Sequence, residues 1–269
     1  MNGTGTQPLP AGEPGGLASA SLLCTTRAGG TSKGAYASNN LGLHVYDDPE
    51  VVASNRLQLL DNFGLNSIQW LNQVHGTRVL PIEQVVNDAP TADALFTQRR
   101  GIGLAILTAD CLPVILVDTR GELVAAAHAG WRGLCAGILQ ELVAAPPIEP
   151  SRLKGFIGPA IGTDAFEVGP EVVSALNNYG LDQPGVTRAA PPRSPLGVES
   201  ASVAKYYVDL ALAARLDLLR LGVSEVTGGH WCTVSDTQFY SWRRETRRAV
   251  AAGDEPATGR QATLVWLPD

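Results

Sequence analysis

The stretch LAILTADCLPVILVDTRGELVAAAHAGWRG, residues 104–133, decides the fold. Two runs, Leu104 to Thr108 and Pro113 to Asp118, have the length and aliphatic, β-branched content of buried strands, and a third, Leu123 to Ala129, follows a Thr-Arg-Gly turn. Polar residues interrupt these runs at few points: Asp110 and Cys111 between the first two strands, and His128 near the end of the third. A strand that carries a histidine where it meets Ala-Gly-Trp-Arg-Gly presents an imidazole at its tip, beside a glycine that admits close approach of backbone or ligand. The stretch predicts a buried sheet with a site at its end.

Downstream the period becomes helical. Leu134, Ile138 and Leu142 repeat within Trp131 to Ala144, and Pro146-Pro147 ends that helix. A strand over Leu153 to Ile157 leads into the tight Gly158-Pro159-Ala160-Ile161-Gly162 loop, and Glu171 to Tyr179 reads as a helix. A Pro-, Gly- and Ser-rich loop covers 182–200, a helix Tyr207 to Leu221, and strands Val223 to Thr227 and Ala262 to Leu267, with a loop from Ala251 to Thr258. Upstream, residues 1–19 read as a flexible Gly/Pro tail, followed by a strand over Ser21 to Thr26. A glycine-rich loop then runs from Arg27 to Gly34 and is either an anion cradle or an ordinary connection. A helix from Asp48 to about Phe63, a half-buried strand from Ser67 to Gln73 and a return to β at Val79-Leu80 complete the chain. Strands and helices mix without regular alternation. This predicts an α+β fold: a single layered domain over 20–269, with mixed, mainly antiparallel sheets flanked by helices.

Composition narrows the function. The 269 residues are 45% hydrophobic, ample for a core, and the net charge of −6 argues against nucleic acid as a partner despite the cluster Arg243, Arg244, Arg247 and Arg248. No uninterrupted apolar segment reaches membrane-spanning length, and the N-terminus lacks the basic start and apolar core of a signal peptide. Four widely spaced cysteines in such a chain lead to the expectation of reduced thiols and a cytoplasmic protein.

His75, Cys111 and His128 offer two imidazoles and a thiolate, a donor set suited to zinc with a fourth position left open. Their separation in the chain matches no short metal-finger spacing. Three readings therefore stand together: a metal site, a nucleophilic Cys111 with His128 or His75 as base, and hydrogen-bonded structural residues. Asp110, adjacent to Cys111, is a candidate acid or base, or a turn residue supporting the site.

The motifs NQVHG (72–76), TADCLPV (108–114), AAAHAGWRG (125–133) and GPAIG (158–162), with TTRAGGTSKGAY near the start and SWRRE near the end, resemble the YfiH/DUF152 family in order over roughly 20–268. That family has been called laccase-domain or polyphenol oxidase, purine nucleoside phosphorylase and peptidoglycan editing factor. The resemblance implies one zinc ion on His75, Cys111 and His128. It also implies phosphorolysis of adenosine, inosine, guanosine and methylthioadenosine, with adenosine deamination beside it, in a monomer that takes a purine nucleoside and phosphate. Arg27, Asn40, His44 and Arg243 are the further pocket residues it suggests. Three alternatives accompany it: removal of a wrong amino acid from a UDP-MurNAc cell-wall precursor, a copper-linked polyphenol oxidase, and a nucleoside-binding protein without turnover. Copper is disfavoured, because four histidines cannot furnish a conventional multicopper centre. Two departures stand out: an insertion between the arginine pair and Thr258-Gly259-Arg260, and His230, which is either an extra contact or a surface residue.

Overall fold

Strands buried on both faces read as continuous apolar runs, and the 104–129 stretch is built that way for a structural reason. A computed structural model of the chain describes residues 19–191 and 204–269; the tail expected over 1–19, except its last residue, and the loop from 192 onward lie outside the described residues. In chain order the elements are β1 (Ser21–Cys24), α1 (Pro49–Phe63), β2 (Ser67–Gln69), β3 (Val79–Pro81), β4 (Ala94–Thr97), β5 (Ile102–Thr108), β6 (Leu112–Asp118) and β7 (Val124–Ala129). There follow α2 (Trp131–Cys135), α3 (Ile138–Ala144), β8 (Leu153–Ile157), β9 (Glu167–Val168), α4 (Pro170–Tyr179), β10 (Thr187–Ala189), β11 (Tyr206–Val208), α5 (Leu210–Arg220), β12 (Glu225–Gly228), α6 (Trp242–Ala252) and β13 (Gln261–Trp266).

The three central strands do not share one sheet. β5 belongs to the sheet β1-β13-β5-β2, whereas β6 and β7 lie at the centre of β12-β8-β6-β7-β4-β3; a small third sheet runs β10-β11-β9. Antiparallel pairs dominate, with parallel pairing at β2–β5, β3–β4 and β12–β8. Leu104 and Ile106 of β5 and Val265 of β13 meet Ile115, Val117, Val124 and Ala126 in a core between the two large sheets. On the outer face of the larger sheet, Leu112, Val114, Leu116, Ala125 and Ala127 pack on Leu134, Ile138, Leu142, Leu176 and Leu218. On the outer face of the smaller sheet, Ala105, Leu107 and Leu264 pack on Leu59 of α1. The mixed α+β architecture is therefore layered helix, sheet, sheet, helix, and residues 109–111 are where the chain crosses from one sheet to the other.

Local chemistry sets the element ends. Asp48 caps α1 by accepting from the Glu50 N–H at 2.9 Å, Pro49 opens its first turn, and Gly64 ends it at φ 60°. Several boundaries differ from the sequence pattern. The single helix expected over Trp131 to Ala144 is two, because Gly137 takes a left-handed φ of 94° between α2 and α3. The helix expected from Tyr207 begins at Leu210, capped by Asp209, because Tyr206–Val208 is recruited as the middle strand of the small sheet. The strand expected to Gln73 stops at Gln69. Gln73 instead imitates a strand residue with its side chain, accepting from the Leu107 N–H at 2.9 Å and donating to the Leu107 carbonyl at 2.8 Å. The loop expected from Ala251 begins after Ala252, where α6 ends at Gly253. No helix among the described residues is long and apolar enough to cross a membrane.

Asp118, fully buried at the end of β6, accepts from Arg152 Nε at 2.9 Å and Nη2 at 2.8 Å and from the Arg120 and Glu122 N–H groups. Burial alone would raise its pKa, but the Arg152 bonds and the two N–H donors outweigh it and hold the carboxyl below its ordinary value. A depressed folded pKa gives stability that is present above the unfolded value of about 4 and lost as pH falls through the folded one. Asp118→Asn is therefore expected to cost about 2 kcal/mol at neutral pH. The gap between mutant and wild type in urea midpoint should begin to narrow as pH falls below about 4; a gap that stays constant as the pH is lowered further would contradict the assignment.

Candidate metal centre and its cavity

The crossing between sheets places Cys111. Asp110 precedes it at φ 101°, and both its carboxylate oxygens are engaged: Oδ1 accepts from Thr233 Oγ1 and Oδ2 from the Arg243 N–H, each at 2.6 Å. Asp110 thus ties the corner to the first turn of α6, as a turn residue supporting the site does. His128, buried near the end of β7, lies opposite Pro113 of β6. His75, exposed in the loop between β2 and β3, has φ 61°. The donor atoms of His75, Cys111 and His128 all lie within 4.8 Å of one another, with Cys111 Sγ 3.8 Å from His75 Nε2 and the two imidazole rings edge to face at 4.6 Å. Gly130 is what permits this approach: a Cβ there would stand 2.9 Å from His75 Cδ2 and 3.0 Å from Cys111 Sγ.

The electrostatics favour a donor thiolate. Burial pushes the Cys111 thiol up, but the hydrogen bonds and charge of His128 and His75 prevail and hold it at about 6. Burial pushes His128 down, and its bonds to Asp93 and Cys111, with their charges, bring it to about 9. Asp93 is fully buried, and its Oδ1 stands 2.9 Å from His128 Nδ1. One thiolate and two imidazoles, one of them oriented by a carboxylate, fit a transition-metal ion of zinc type.

The three donors open into a cavity of about 410 Å³, also lined by Arg132, Arg243 and Arg260, by His44, and by Phe166 and Trp242. Arg243 Nη1 donates to the Ala165 and Glu167 carbonyls at 3.2 and 2.9 Å, and Arg260 Nη1 to the Thr258 and Gly259 carbonyls at 3.1 and 3.0 Å. Each guanidinium is thus tied to backbone carbonyls through Nη1. Burial, then the positive charges of Arg260 and Arg56, lower the pKa of His44 and favour its neutral form.

Of the residues singled out in the sequence, His44, His75, Asp110, Cys111, His128 and Arg243 converge on this cavity. Arg27 and Asn40 do not line it. Arg27 donates to the Ala37 carbonyl, sits 5.1 Å over the Tyr240 ring and faces a separate groove with Glu245 and Arg248. Asn40 is fully buried and accepts from the Gly42 and Arg260 N–H groups at 2.9 Å, so it anchors the backbone of Arg260 just before β13. His230 is exposed, stacks on Trp231 at 3.7 Å and borders a smaller pocket beside Cys232, away from the donor triad. The sequence reading missed Asp93, Arg132, Arg260, Phe166 and Trp242 as site residues. A signal for Asp93 was present: Thr91-Ala92-Asp93-Ala94-Leu95 repeats Thr108-Ala109-Asp110-Cys111-Leu112 with one change.

Residues 21–268 match the family model described as multi-copper polyphenol oxidoreductase laccase. A solved Neisseria meningitidis protein of family DUF152 superposes with a TM-score of 0.81 at 40% identity, covering 99% of this chain and 98% of that one. The chain belongs to the YfiH/DUF152 family. YfiH-family relatives include a Pseudomonas aeruginosa protein 43% identical over 246 residues (91% of this chain, 92% of the relative) and Escherichia coli YfiH, 38% identical over 264 residues (95% and 96%). Both are named purine nucleoside phosphorylase.

Proposed function

We propose that this YfiH-family chain is a zinc-dependent purine nucleoside phosphorylase, with residues 20–269 as one catalytic domain acting as a monomer in the cytoplasm. The observation that carries the reading is the convergence, on one cavity of about 410 Å³, of the His75, Cys111 and His128 donors with the three cations Arg132, Arg243 and Arg260. A cavity of this size suits a nucleoside with its co-substrate. The names of the relatives support the activity.

His75, Cys111 and His128 would hold zinc, which supplies a Lewis acid with a coordination position open to the cavity. The arginines would hold phosphate as a charge-assisted, bidentate partner next to ribose C1′. Phe166 and Trp242 line the same cavity and would supply apolar aromatic surface for the purine. In the reaction a phosphate oxygen forms a bond to C1′ while the C1′–N9 bond breaks, its electron pair leaving with the purine, which takes up a proton. The cationic wall fixes the nucleophile and the aromatic wall the leaving group, so proximity contributes much of the acceleration. The donor inventory favours a single metal site over a copper cluster: among the described residues one His/Cys/Asp/Glu group is disposed to hold an ion.

Phosphate-dependent release of hypoxanthine from inosine tests this directly; release that is indifferent to phosphate would identify a hydrolase instead. Arg132→Gln and Arg243→Gln are each expected to raise the KM for phosphate by about 10–100-fold. The KM for inosine should change much less, and an equal rise in both would contradict an anion site at these residues.

A further inference from the structure

Asp93 gathers four N–H donors on one buried carboxylate. Its Oδ1 accepts from the His75 N–H at 2.8 Å and lies 2.9 Å from His128 Nδ1; its Oδ2 accepts from the Gly76 N–H at 2.7 Å and the Val74 N–H at 3.2 Å. The Asp93 carbonyl also accepts from the His128 N–H at 2.7 Å. One residue, set immediately before β4, thereby touches both the exposed loop that carries His75 and the buried strand that carries His128.

We infer that Asp93 is the positioning residue of the metal centre, fixing the His128 tautomer and the 74–76 backbone with the same carboxylate. With Nδ1 donating its hydrogen to Asp93, Nε2 is the ring nitrogen that keeps a lone pair for a ligand bond. The three successive N–H bonds secure a loop in which His75 adopts a left-handed conformation uncommon for a residue with a side chain. All four donors need acceptors, and a carboxylate is the one side-chain group of this size that offers two acceptor oxygens and no hydrogen.

This requirement makes Asp93→Asn a sharp probe. The amide keeps one oxygen and replaces the other with an NH₂ donor. Turned toward Val74 and Gly76, the NH₂ opposes two backbone donors and releases the loop. Turned toward His75 and His128, it opposes the His75 N–H and demands that Nδ1 accept, which moves the ring hydrogen to Nε2 and removes the ligand lone pair. Either orientation weakens one of the two histidine ligands while Cys111 is untouched.

The inference rests on the metal-site part of the proposed function and not on the substrate, so its test needs no nucleoside. Zinc affinity is measured by competition with a chromophoric chelator for wild type, D93N and D93E. The ring nitrogens of His128 are observed by ¹⁵N NMR in the metal-free proteins through a pH titration carried above 9, where the ring is neutral and its tautomer is defined, and hydrogen exchange follows the 74–76 amides. D93N is expected to lose about 10–100-fold in zinc affinity. It should also show either an Nε2–H tautomer at His128 or unprotected amides at 74–76, with the urea midpoint of the metal-free protein measured alongside. Wild-type zinc affinity in folded D93N would overturn the inference. Failure of the wild type to bind zinc would overturn the metal reading, and the tautomer and exchange measurements would then still decide the role of Asp93. If D93N does not fold, D93E carries the test: it keeps the charge but displaces both oxygens by a methylene, and unaltered zinc affinity there would equally overturn the inference.

Discussion

Cys111→Ala is expected to purify with zinc well below one ion per chain and to lose at least about 10³-fold in nucleoside cleavage, because the thiolate is one of three protein donors and no further His, Cys, Asp or Glu among the described residues joins the group. The same loss would follow if Cys111 were a nucleophile, so a second arm separates the two chemistries. Chelation of the wild type leaves the thiol in place; activity should vanish on chelation and return with added zinc, and a reductant alone should restore none of it. A chelated, metal-free enzyme with full activity would return Cys111 to the nucleophile reading. The thiol pKa of about 6 makes the thiolate available near neutrality under either reading, which is why the metal experiment and not the pKa decides.

Gly130→Ala should be nearly as damaging with a single methyl group. The backbone there, at φ −62° and ψ 158°, is open to any L-residue, so no conformational strain arises from the substitution itself. The added Cβ would instead lie 2.9 Å from the His75 ring and 3.0 Å from Cys111 Sγ, closer than atoms in contact allow, and two of the three donors would have to separate. Displacement of about 1 Å in such a constellation costs on the order of 100-fold in rate. The expected result is a folded protein with a wild-type far-UV spectrum, weakened zinc binding and about 100-fold lower activity. Unchanged zinc affinity would show that His75 and Cys111 can move apart freely and that the tight approach is not required.

The site's reactive residues were legible because they violate their surroundings. Cys111, with Asp110, falls between two buried apolar strands, and His128 interrupts a third, and such polar groups amid buried strands call for a reason. What pattern could not convey was partnership. The sequence shows three consecutive strands at 104–129, yet β5 and β6 part into different sheets at Asp110, since apolar periodicity reports burial and not which neighbour supplies it. Gly137 splits a helix whose apolar spacing runs on without a break. Tyr207 and Val208 open a helical pattern but are claimed by strand pairing, a tertiary effect. Arg132 and Arg260 reach the cavity from the middle and from near the last residue of the sequence, and an arginine's local context says little about where its long side chain will end. Asn40 and Arg27, which sequence resemblance suggested for the pocket, stand one layer away: Asn40 holds the backbone of Arg260, and Arg27 lies over Tyr240.

The central claim is that phosphate held by the arginine wall displaces purine from ribose at this site. It is tested most directly by incubating the zinc-loaded wild type with inosine and inorganic phosphate and following phosphorus by ³¹P NMR as hypoxanthine is released. Ribose 1-phosphate appearing mole for mole with hypoxanthine is the predicted result. Hypoxanthine released with phosphate unconsumed, or no release from inosine at all, would contradict it.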